Sequence, residues 1–190
     1  MNNISAPAYS LIRPTSWWME IPVLLGFNLL LVCLAQVAIN LPFSPVPITG
    51  QTLGVTLIAM ALGRTRGVAV VSAYILEGIL GLPVFANGMA GAGVLLGPTG
   101  GYLIGFVVAA WVIGSLADRG WDRSFIGSFA AMTFGTVVIF ACGLSWLSRF
   151  VEGNVLLSLG LFPFVPGALV KLAIASIALP SVWKMAGRKK

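Results

Sequence analysis

The chain has 190 residues, 58% of them hydrophobic and only 8% charged, where a soluble domain carries roughly 25% charged residues; too few remain for a water-facing surface, so the protein belongs in a membrane. Lys and Arg exceed Asp and Glu to give a net charge of +6. The basic residues stand in pairs at the ends of apolar runs, as headgroup anchoring requires, and this argues against a nucleic-acid partner. There is no histidine, which excludes serine–histidine triads, HExxH zinc sites and histidine proton relays.

Residues 1–20 read as a polar surface segment with Trp17 and Trp18 at headgroup level. Six apolar runs follow, near 21–39, 49–63, 67–82, 101–116, 124–144 and 167–183. They predict one all-α domain: a six-helix transmembrane bundle over 21–183, ending in a basic tail at 184–190. A crossing needs about 20 residues, so the shorter runs either extend into their flanks or thin the bilayer. Cys33 and Cys142 lie inside apolar runs and read as buried small residues. "LLVC" at 30–33 places bulky Val32 where a cleavage box needs a small residue, so the first run reads as a retained span.

Charge orients the bundle. Arg13, Arg64, Arg66, Arg119, Arg123, Lys184, Arg188, Lys189 and Lys190 fall on one side if the spans alternate. Only Arg149 falls on the other, and Lys171 lies within a span. Both termini are therefore expected in the cytoplasm. The inner connections "GRTRG" and "ADRGWDRS" are short and charged, whereas the three outer ones are uncharged or elaborate. The first, "LPFSPVPITGQT" at 41–52, is stiffened by three prolines that remove backbone donors. The second, 83–100, is rich in glycine and reads as a flexible cover over a pocket. The third, 145–166, contains "NVLLSLGLFPFV", too short to span and suited to a re-entrant or interfacial helix.

Polar residues in spans are functional candidates by default. Glu77, Lys171, Thr49, Gln51, Tyr102 and Asn87 all fall toward the outer side under this topology. Each has a plainer role available. Lys171 either snorkels to headgroups or, the favoured reading, faces a substrate carboxylate. Glu77 either pairs with Lys171 or serves the site. Tyr102 either anchors at the interface or lines the pocket, and Thr49 and Gln51 either cap a helix or hold ligand. Arg149 reads as a headgroup anchor. Gly97, Gly101, Gly105 and Ala109 recur every four residues and predict a smooth packing face.

"LPFSPVPITGQTL", "YILEGILGLPVFANG", "LLGPTGGYLIGF" and "PGALVK", in this order and spacing, resemble the BioY family, the membrane-embedded biotin-binding S components of energy-coupling-factor (ECF) transporters. The resemblance runs from about Pro22 to the last span. It implies a substrate-binding subunit in the bacterial cytoplasmic membrane with its vitamin site near the outer surface. Gln51, Thr49, Asn87 and Tyr102 would read the ureido group, and Lys171 would offset the carboxylate. It also implies partners, a transmembrane coupling protein and two ATPases, since the chain has no GxxxxGK[ST] loop of its own. Biotin would be cargo, with no cofactor. Two positions depart from the family pattern. Ala168 stands where an acidic residue is usual, so Glu77 or a water takes over, or the affinity or preferred ligand differs. The first span offers Gly26, Ala35 and Ala38 off the usual spacing of four, which places coupling to the partner in question. The alternatives are a binding subunit for another small carboxylated vitamin, an intramembrane enzyme, and a structural membrane protein. The enzyme is disfavoured because no nucleophile stands beside a candidate base.

Overall fold

The computed structural model describes residues 17–187, with side chains from 18 to 177. Arg13, the Trp17 side chain and the basic tail side chains, expected as anchors, lie outside the described residues. Helix α1 spans Trp17–Gln36, with Trp18 and Met19 exposed on its surface. A two-stranded antiparallel ribbon follows, β1 (Ala38–Ile39) against β2 (Ile48–Thr49), with Ala38 opposite Thr49. The proline stretch is the loop of that ribbon.

The next helical run, α2 (Gln51–Ile79), is two helices joined at Gly63. There φ is 75° and ψ −174°, a region that glycine alone adopts freely. The chain reverses at this point: a Cβ on Gly67 would press on the Cα of Ala59, and Gln51 hydrogen-bonds Tyr74 across the pair. The first arm (51–62) and second arm (64–79) thus stand where the second and third spans are expected, and among the described residues five helical runs, this one counted once, are long and apolar enough to span a bilayer, against the six expected. Short α3 (Ala92–Leu96) then leads into α4 (Gly100–Ala117). A 3₁₀ turn at Trp121–Arg123 precedes α5 (Phe125–Leu147), whose start Ser124 caps by accepting from the Gly127 amide. Short α6 (Leu156–Gly160) occupies the third outer connection, and α7 (Val165–Gly187) closes the bundle.

Helix α4 is central, packed on α2 and α5. The four-residue repeat explains why it can approach so closely. A Cβ on Gly105 would touch Ile139 and Cys142, and one on Gly101 would run into Trp146. Helix α5 answers with Gly135 against Ile113 and Gly143 against the Tyr102 ring. Gly97 is not on this face; it ends α3, and its carbonyl accepts from Trp146 Nε1 at 3.0 Å. At the far end of the bundle, Gly114 lets α4 meet the Gly63 turn, where Asp118 accepts from the Arg64 amide. An Arg66–Glu20 ion pair ties α1 to the same turn. Outward faces such as Leu25 and Leu29 of α1 and Ile174 and Ile177 of α7 are exposed and apolar, as a lipid-facing surface must be.

Candidate functional site

The proline ribbon, the glycine-rich segment and α6 gather at one end of the bundle, the end away from the charged turns. Each is tied down. Ser44 in the proline loop donates to the Leu159 carbonyl of α6 at 2.7 Å. Gln36, the last residue of α1, donates to the Val84 and Phe85 carbonyls and accepts from the Gly88 amide at 3.0 Å. Gly91 donates to the Gly78 carbonyl at 2.7 Å. The glycine segment, expected to be a flexible cover, is therefore hydrogen-bonded on both sides. Phe85 swings inward from it over Gly78 and meets the Tyr74 ring edge-on, centroids 5.6 Å apart.

Beneath these loops lies a cavity with about 860 Å³ of empty space, its open mouth included. Its walls are largely apolar, with Phe106, Ile139, Phe140 and Phe164 from α4, α5 and the start of α7. Four of the residues singled out from sequence line it: Thr49, Gln51, Tyr102 and Lys171. Lys171 Nζ donates to the Thr49 carbonyl at 2.5 Å and to Thr52 Oγ1 at 3.1 Å. Thr49 Oγ1 donates to Gln51 Oε1 at 2.9 Å, and Gln51 Nε2 donates to the Tyr74 hydroxyl at 2.6 Å. Tyr102 donates to the Gly160 carbonyl at 2.8 Å, fastening α6 to the cavity wall.

The other two stand elsewhere. Asn87, held at φ 58°, lines an adjoining outer vestibule and donates to Asn40 Oδ1 at 2.9 Å. Pro47, Met89, Val94 and Thr99 border both spaces, so the vestibule opens onto the cavity wall. Glu77 is half-buried on the second arm and lines neither space. It is not among the partners of Lys171, whose hydrogen bonds go to neutral oxygens. Ala168 does line the cavity, one turn before Lys171 on the same face of α7. Arg149 lies over the Trp146 ring at 4.5 Å, a cation–π contact outside the cavity.

Sequence reading missed Thr52, Thr56 and Thr136 in the lining and Gln36 and Tyr74 behind it. A threonine inside an apolar run is a weak signal, because its hydroxyl usually bonds back to its own helix. Gln36 and Tyr74 carried no signal, since their partners are distant in sequence.

The arrangement can hold one anion beside a fixed ammonium while enclosing an apolar body. A model of the BioY family matches residues 12–188. The chain is 44% identical over 140 residues to a Thermotoga maritima protein named biotin transporter BioY, covering 73% of this chain and 82% of that one. It is 35% identical over 147 residues to a Rhizobium etli protein of the same name, covering 73% and 79%. Among solved structures, the S-component for biotin from an ECF-type ABC transporter superposes with a TM-score of 0.78 at 27% identity, covering 90% of this chain and 95% of that one.

Proposed function

This chain belongs to the BioY family, and from that premise we propose that it captures biotin in the cavity under the outer loops and serves its uptake as the substrate-binding subunit of an ECF-type transporter. It is a multi-pass membrane transport protein, not an enzyme. One observation of the site carries the assignment: a single lysine is fixed at the wall of an otherwise neutral, apolar cavity. Biotin matches that cavity with a carboxylate, an apolar thioether ring and a ureido group with donors and acceptors. Lys171 offsets the carboxylate. Thr49, Gln51 and Tyr102 already bond one another or the backbone, so they form an ordered wall that loses little entropy when ligand enters. Asn87 stands at the vestibule, where it meets arriving ligand first, and Glu77 shapes the field from outside the lining.

Biotin here is cargo, and energy for transport comes from other chains, a transmembrane coupling protein and two ATPases. The charge asymmetry supports a cytoplasmic-membrane location with both termini inside. Ala168 in the cavity wall supports a second reading, a different small carboxylated vitamin, because an acidic side chain would otherwise stand beside Lys171. Radiolabelled biotin binding to the detergent-purified chain tests the assignment. Saturable binding displaced by unlabelled biotin is expected; binding displaced only by another vitamin selects the second reading, and no saturable binding rejects both.

A further inference from the structure

Thr136 lies on α5 in the cavity wall and is 8% exposed. Its hydroxyl has no hydrogen-bond partner among the described residues. Every other polar side chain in the lining has one. Thr49 bonds Gln51, Gln51 bonds Tyr74, and Thr52 holds Lys171. Thr56 and Thr99 donate to the Leu53 and Val94 carbonyls, and Tyr102 to Gly160. A threonine in a helix ordinarily satisfies itself on the carbonyl four residues back, as neighbouring Thr133 does on Phe129 at 2.7 Å. Thr136 does not, and its hydroxyl is left without a partner in the cavity lining.

Depth distinguishes it from the rest. Lys171 is six residues from the start of α7 at Val165, about 9 Å along the axis, and its ammonium reaches back to the β2 carbonyl of Thr49. Thr136 is eleven residues before the outer end of α5 at Leu147, about 16 Å down. By this count along its own helix Thr136 lies deeper than Lys171; one is charged and the other neutral, with donor and acceptor capacity both free at Thr136.

We propose that Thr136 is the specificity-determining contact in the cavity wall, hydrogen-bonding the neutral polar head of the ligand while Lys171 holds its acid tail. On the biotin reading given above, on which this rests, that head is the ureido ring. Thr49 and Tyr102 have spent their hydroxyl protons, on Gln51 and the Gly160 carbonyl, and Gln51 one of its two N–H groups on Tyr74, so the wholly open hydroxyl for the ureido group is that of Thr136.

The test is biotin binding by the purified full chain and by T136V, T136A and T136S, with the analogue in which sulfur replaces the ureido oxygen as second probe. T136V and T136A are expected to weaken biotin about tenfold, and T136S to stay within about threefold of the parent. The sulfur analogue should bind the parent more weakly than biotin does, and this difference should shrink in T136A. Where T136V does not elute as a folded species, T136A carries the comparison. Biotin binding by folded T136A equal to the parent, or an analogue penalty unchanged by the substitution, overturns the role of Thr136 and leaves the biotin reading standing. A parent chain that does not bind biotin at all removes that reading, and the assignment with it.

Discussion

Lys171 and Thr49 lie 122 positions apart, yet the lysine ammonium meets the threonine carbonyl at 2.5 Å, joining the last crossing to the base of the proline ribbon. The bond, with a second to Thr52, fixes the ammonium at the cavity wall. Its partners are neutral, so the positive charge stays available to an anion.

Lys171→Ala is expected to weaken biotin binding by about ten- to a hundredfold, the range for one charge-assisted hydrogen bond. Esterifying the biotin carboxylate should cost the parent chain a similar factor and cost the variant almost nothing. Equal sensitivity to the ester in both, measured by competition, would remove Lys171 from the carboxylate site.

Gln51→Leu leaves the Tyr74 hydroxyl without its partner in a fully buried position. The expected loss of stability is about 1–3 kcal/mol, read as a lower thermal midpoint in detergent. Adding Tyr74→Phe removes the stranded hydroxyl and should recover part of the loss. A double variant no better than Gln51→Leu would show that the bond does little to hold the two arms.

Gly63→Ala forces a side chain into a backbone conformation that only glycine tolerates, at about 1–3 kcal/mol. Gly26→Ala is the control, since a Cβ there meets nothing within 4 Å and the helix gains propensity. Thermal unfolding should separate them, with Gly63→Ala lower and Gly26→Ala unchanged or higher. Matching midpoints would mean that the reversal at Gly63 does not constrain the fold.

In a background with Cys33 and Cys142 replaced, Asn87→Cys should react with an impermeant thiol reagent from outside intact cells, and Thr65→Cys only after permeabilisation. Both sites are exposed, at opposite ends of the bundle. The reverse pattern would invert the orientation and move the cavity to the cytoplasmic side.

The apolar helices were legible because a bilayer imposes long apolar runs, but how the second and third runs join needed the structure, since hydropathy does not show that they form one helical run reversed at Gly63. Lys171, Gln51, Thr49 and Tyr102 were legible as lining because polar groups are costly in lipid and so stand out at span ends. Glu77 stood out for the same reason and lines neither the cavity nor the vestibule. Cost identifies a residue as unusual but does not give the direction in which its helix faces it. The ribbon of Ala38–Ile39 with Ile48–Thr49 was too short to leave an alternating pattern.

By itself the sequence determined that the chain crosses a membrane several times and at which end its polar groups gather, because transfer into hydrocarbon acts on each residue separately. Tertiary packing alone decided that Gln51 answers Tyr74, that Lys171 answers Thr49, and that the hydroxyl of Thr136 stays open. Those are pairings between distant helices, fixed by which faces the small residues of α4 and α5 allow to touch.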